Sequence, residues 1–89
     1  MEERILTIKL KKGLHSRPAS EMVRHLSKYQ SKVKIIKDDF EIDAKSIMGI
    51  LTLAAAFGTV LKFVIEGEDE VKTACDLEVF FEKTLREYE

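Results

Sequence analysis

The segment Gly13-Leu14-His15-Ser16-Arg17-Pro18-Ala19 is the stretch whose residue types suggest chemistry rather than packing. A histidine and an arginine stand two apart, just before the chain's single proline. Proline is favoured in a helix's first turn, so the spacing predicts a helix starting within a residue or two of His15-Ser16. A helix start presents unpaired N–H groups and the positive end of its peptide dipoles, a setting that suits an anion. An imidazole, with a free pKa of about 6.5, is largely a neutral nucleophile near pH 7. A phosphoryl group on its ring nitrogen would meet those donors, and Arg17 could add charge-assisted hydrogen bonds to the same oxygens. Phosphoryl transfer needs mainly positioning and charge neutralisation, which this segment offers without a metal. A plainer reading also fits: His15 as a polar helix cap and Arg17 as a solvated side chain.

Ser46 is the second position of interest. It precedes the apolar run Ile47-Met48-Gly49-Ile50-Leu51-Thr52-Leu53-Ala54-Ala55-Ala56. Serine is a preferred N-cap, worth about 1 kcal/mol. The other reading is regulatory phosphorylation, since a phosphate brings about −1.5 to −2 charges and favours a helix N-terminus. The run is apolar nearly all round, so a short helix there must expose some of Ile47, Met48, Leu51, Ala54 and Ala55. They either pack under a neighbouring loop or form a docking patch, with Met48 as an adaptable contact.

The elements that must hold these residues follow from periodicity. Leu6, Ile8 and Leu10 alternate with polar residues and predict a strand. Ala19, Met22, Val23 and Leu26 recur at helical spacing. Val33 and Ile35 predict a second strand, Lys37-Asp38-Asp39 a hairpin turn, and Phe40 to Asp43 a third strand. Ser46 opens a short helix that Gly58 ends. Leu61, Phe63 and Ile65 predict a fourth strand, turned by Gly67. Glu68, Asp69 and Glu70 suit the first turn of a last helix, with Val71, Ala74, Leu77, Phe81 and Leu85 as its buried stripe and a frayed 84–89 tail. His25 falls on the polar side of the first helix as a surface residue, and Cys75 lies beside the last helix's buried stripe as a small packed residue rather than a nucleophile. The order β-α-β-β-α-β-α, with half-wet strands, is met most simply by an α+β fold in which an antiparallel sheet is covered on one face by helices.

Composition narrows the function. The 89 residues suffice for a single domain, 1–89. Fifteen basic against 16 acidic residues leave a net charge of −1, which argues against nonspecific nucleic-acid or anionic-membrane binding. A lone cysteine permits no internal disulfide and no cysteine metal cluster, and fits a reducing compartment. No apolar run nears the roughly 20 residues of a membrane span, and the acidic N-terminus is unlike a signal peptide. A cytoplasmic setting is expected. His15 and His25 lack a partner ligand set. No glycine-rich phosphate loop, Ser-His-Asp set or carboxylate pair appears. The expectation is no metal and no cofactor.

The segment from Gly13 to Ala19 resembles the active-site signature of HPr, the histidine-containing phosphocarrier of the phosphoenolpyruvate-dependent sugar phosphotransferase system. Lys45-Ser46-Ile47-Met48-Gly49-Ile50 resembles that family's second signature, at the expected separation. The element order and length are also similar, so the resemblance spans essentially the whole chain. It implies an open-faced sandwich, a four-stranded antiparallel sheet under three helices. It implies that His15 takes phosphate on Nδ1 from phosphorylated enzyme I and gives it to the A component of a sugar permease, with Arg17 steadying the phosphohistidine. The chain would then be a carrier, a substrate of phosphotransferase enzymes rather than an enzyme, and a monomer. In many Gram-positive relatives an ATP-dependent HPr kinase/phosphorylase modifies the residue matching Ser46, and the product binds a regulator of carbon catabolite repression. Partners dock on the surface matching Ser16, Ser20, Ile47, Met48 and Leu51. Departures are Lys12 for a small polar residue, Ser16 for alanine, Ser20 for threonine, and Ala54 and Phe57 at positions often glycine and polar. They bear on partner choice. A regulatory paralogue in the family loses the active histidine, which this chain keeps. Two competing readings are a regulatory module in which Ser46 matters most, and a ferredoxin-like binding domain of β-α-β-β-α-β order.

Overall fold

The computed structural model describes residues 1–88. Its elements are β1 (Glu2–Thr7), α1 (Ser16–Leu26), β2 (Lys32–Lys37), β3 (Phe40–Asp43), α2 (Ile47–Thr52), β4 (Val60–Glu66) and α3 (Glu70–Val79). A π-helical turn, Phe80–Thr84, and a 3-10 turn, Leu85–Tyr88, follow. The four strands form one antiparallel sheet in the order β1-β4-β2-β3. Three helices cover one face, as the alternating strands required. The register aligns Leu6 with Leu61, and Phe63 with Ile35, which faces Ile42 on β3. These rows meet Ala19, Met22 and Leu26 of α1, Ile50 of α2, and Ala74 and Leu77 of α3 in one core.

Five expectations need correction. The first strand starts at Glu2, not Leu6. Its early residues hide the alternation because charges occupy the helix-side positions at the sheet's edge. There Arg4 Nε donates to Glu78 Oε1 at 2.7 Å, so a charge is held where an apolar residue was sought. The second helix ends at Thr52, six residues before Gly58. Ala54 takes a left-handed φ of +49°, which no α-helix continues, and Lys37 Nζ donates to Leu53 O at 2.8 Å, closing the helix end.

In α3 the buried stripe is Thr73, Ala74 and Leu77, continued by Phe80 and Leu85. Val71 is exposed and Phe81 only half buried. Phe80, three residues on from Leu77, is the residue that turns inward, and the π turn it opens sets the next buried residue, Leu85, five positions on. The 84–88 segment is anchored, not frayed: Leu85 is buried and Tyr88 packs against the core. Residue 89 lies outside the described residues. Cys75 is exposed, on the outer side of the stripe.

Two long-range carboxylate contacts tie the helix layer to the loop after α1. Asp69 accepts from the N–H groups of Gln30 and Ser31, each at 2.9 Å, and from the Ser31 hydroxyl. Those donors, the Ser31 hydroxyl first, hold its carboxyl down to about 2. Tyr29 donates its hydroxyl to Asp76 Oδ2 at 2.8 Å, and that bond together with burial pushes the phenol up to about 12. A depressed carboxyl stabilises the fold above its unfolded pKa, near 3.9. That contribution fades as pH falls towards about 2. A raised phenol stabilises below its unfolded pKa near 10, and its contribution is lost as pH rises through about 12. Thermal unfolding against pH should therefore show Asp69→Asn melting lower than wild type at neutral pH with a shallower acid limb. Tyr29→Phe should flatten the alkaline limb.

Candidate functional site at the start of the first helix

His15 is the N-cap of α1, with extended backbone (φ −89°, ψ −171°). Its carbonyl accepts the first helical bond, from Ala19 N at 3.0 Å. Its side chain makes no capping bond, so the imidazole is not used to hold the helix. That disposes of the plain cap reading for the ring. The ring is half buried, and Nε2 is enclosed with no hydrogen-bond partner among the described residues.

The first turn of α1 contains no acidic residue. Pro18 has no N–H to offer, and those of Ser16 and Arg17 precede the helical ladder. Arg17 is exposed and pairs with no carboxylate among the described residues. Ser16, Arg17 and Ser20 line a groove of about 270 Å³ with Glu21, Arg24 and Tyr88. An uncommitted guanidinium, free N–H groups and a ring nitrogen at a helix start can together receive an anion. Among the described residues no three His, Cys, Asp or Glu side chains are placed to hold a metal ion.

The loop before His15 is fixed from behind. Gly13 has φ +73°, and a Cβ there would lie 2.6 Å from Ala55 O and 3.0 Å from Ala56 Cα. Leu14 is buried and donates its N–H to Ala55 O at 2.8 Å. The segment after α2 is thus the backstop of the His15 loop. Ser46 caps α2, its Oγ accepting from Gly49 N at 3.1 Å. On α2, which packs against α1, Ile47, Met48 and Leu51 are exposed, Met48 at 74%. Ala54 is exposed too, whereas Ala55 is buried beneath Leu14.

Sequence reading missed the shared groove's far wall. Tyr88 comes from the other end of the chain, and no local signal places it beside Arg17. It also misplaced His25. That ring is half buried, 4.8 Å from Phe80, with Nδ1 enclosed and 3.9 Å from Asp76 Oδ2. The polar face of α1 looks across to α3, not wholly to water.

The family model described as "PTS HPr component phosphorylation site" matches residues 2–83. Phosphocarrier protein HPr of Xylella fastidiosa (strain Temecula1) is 41% identical over 87 residues, covering 98% of each chain. The HPr-like protein Crh of Halalkalibacterium halodurans is 39% identical, covering 93% of this chain and 99% of its own. The crystal structure of HPr from Thermoanaerobacter tengcongensis superposes with a TM-score of 0.90 at 40% identity, covering 96% of each chain. A four-stranded open-faced sandwich with this signature at a helix start is the architecture of a phosphocarrier. The chain belongs to the HPr family of the phosphotransferase system, and the ferredoxin-like alternative falls away.

The backstop generates a test. Gly13→Ala combines left-handed strain with a backbone clash and should destabilise by at least about 2 kcal/mol, lowering Tm by roughly 8 °C or more. Gly49→Ala, whose Cβ would meet Ile42 Cβ and Ser46 Oγ only at 3.4 Å, should be tolerated. Differential scanning calorimetry of the two variants separates these outcomes.

Proposed function

We propose that the chain is a phosphocarrier: His15 accepts a phosphoryl group on Nδ1 from phosphorylated enzyme I and passes it to the A component of a sugar permease. The observation that carries this is the His15 ring at the start of α1, unused as a cap, followed by an exposed Arg17 and a first turn with no acidic residue. In the neutral ring the single proton would sit on Nε2, leaving the Nδ1 lone pair to attack phosphorus. The bond from phosphorus to the donor group breaks as the bond to Nδ1 forms, and the donor group leaves with that bond's electron pair. Arg17 and the free N–H groups of Ser16 and Arg17 offset the charge on the phosphoryl oxygens. The chain acts here as a substrate of its partners and not as an enzyme. No cofactor or metal enters the reaction.

Ser16 and Ser20 on α1, with Ile47, Met48 and Leu51 on α2, would form the docking surface. Ser46 would be the regulatory site, modified by an HPr kinase/phosphorylase and then read by a catabolite regulator. Likeness to Crh of Bacillus subtilis, described as a catabolite repression HPr, supports that branch. Its phosphate would keep an oxygen at the helix cap but set about −1.5 to −2 charges beside Ile47 and Met48. A cytoplasmic monomer spanning residues 1–89 as one domain completes the reading. No helix of the described residues is long and apolar enough to cross a membrane.

Incubation with enzyme I and labelled phosphoenolpyruvate should place acid-labile label on His15, and His15→Ala should take none. Label persisting on another histidine of that variant sinks the assignment. Ser46→Asp should slow labelling of His15 while shifting Tm by only a few degrees, a size typical of a change in one helix cap. Ser46→Ala should lose about 1 kcal/mol of stability yet transfer nearly normally.

A further inference from the structure

A second groove, of about 610 Å³, runs along β1 and shares no lining residue with the His15 site or the α2 docking surface. Ile5, Leu6 and Thr7 all line it. Successive residues of a strand point to opposite faces of the sheet. A groove lined by three in a row therefore passes over the strand's edge. β4 occupies one edge of β1, and among the described residues no strand occupies the other. The groove follows that free edge. Its far wall comes from the π and 3-10 turns. There Phe81, only half buried, meets Phe63 edge-on with ring centroids 5.5 Å apart, and Leu85 lines the groove from below.

The two halves of this edge differ. Glu2, Glu3 and Arg4 carry charges, which guard a sheet edge against pairing with other chains. Ile5, Leu6 and Thr7 carry neither charge nor proline, and Ile5 is 70% exposed. A row of unpaired backbone N–H and C=O groups at strand spacing is matched by another extended backbone. The surrounding charges indicate which side chains that backbone would carry. Lys9, Lys83 and Arg86 line the groove and pair with no carboxylate among the described residues. Of the two carboxylates beside them, Glu78 is taken by Arg4 Nε at 2.7 Å, which leaves Glu82 against three cations.

We propose that the free edge of β1 from Ile5 to Thr7 is a strand-addition site for an extended segment of a partner protein that carries apolar and acidic side chains. The segment's backbone pairs with β1, its apolar side chains reach Phe81, and its carboxylates meet Lys9, Lys83 and Arg86. A second copy of this chain fits less well. A two-fold pairing sets one patch against itself, and the three unpaired cations would then face their own images. The inference goes beyond the phosphocarrier reading and does not depend on it.

The test titrates a capped hexapeptide of alternating valine and glutamate into the isotope-labelled full chain and follows its backbone amides by NMR. The amides of Ile5, Leu6 and Thr7 should shift with a Kd of about 1 mM or tighter. Hydrogen exchange at the outward-facing amides of that stretch should slow at least about tenfold as they enter a ladder. A hexapeptide of alternating valine and lysine should bind at least about tenfold more weakly at low salt. The glutamate peptide methylated on its backbone nitrogens should not bind, because the ladder's donors are gone. Lys83→Glu combined with Arg86→Glu should weaken the glutamate peptide about tenfold while Tm stays within about 2 °C, both positions being exposed. Amides of Ile5 to Thr7 that stay unmoved at about 1 mM peptide overturn the proposal. Equal binding by the lysine peptide or by the methylated one does the same. A wild-type dimer in sedimentation that Ile5→Lys dissociates would assign the edge to a second copy and also overturn it.

Discussion

The contact between Gly13-Leu14 and Ala55-Ala56 is the constraint on which the rest of this structure hangs. It joins segments about forty positions apart and leaves no room for a single Cβ. One hydrogen bond, from Leu14 N to Ala55 O, sets the height at which α1 begins. The orientation of His15, the openness of the first-turn N–H groups and the nearness of α2 all follow. A loop with ordinary packing would let the chain before α1 wander. A loop with no slack makes the helix start a fixed point.

That constraint also accounts for an oddity of α2. Its residues have the composition of a longer helix, yet it stops at Thr52. Continuing would carry the Ala55 carbonyl along the helix axis and away from Leu14. Ala54 adopts a left-handed backbone instead, at a cost on the order of 1 kcal/mol for a residue with a Cβ. Local preference gives way to a tertiary hydrogen bond and a buried Leu14.

Periodicity exposed most of the fold. The alternation in β2 and β4 and the 3.6-residue spacing in α1 are strong because each element buries one clean face. Where a face is mixed, the signal failed. β1 begins with Glu2, Glu3 and Arg4: Arg4 pairs with both Glu78 and Glu2, and Glu3 with Lys62. The π turn at Phe80 changed the phase of a helix mid-course, which no fixed period anticipates. His15, Arg17 and Ser46 could be found because their neighbours form local signatures. Tyr88, the Ala55 carbonyl and the inward turn of His25 towards Phe80 could not, because each depends on a partner distant in sequence.

The two faces of the sheet have different fates. The uncovered one is held by cross-strand pairs such as Lys34 with Glu41 at 3.1 Å and Lys62 with Glu3 at 3.4 Å. Exposed pairs like these contribute little each, and they can be swapped, reversed or lost without moving the backbone. The helix layer, the backstop loop and the turn tips are bound to one another and cannot. Mutation should therefore accumulate unevenly over time. The open face is free to change charge as a lineage adapts to new salt or temperature, while the opposite side keeps the record of whom the protein meets.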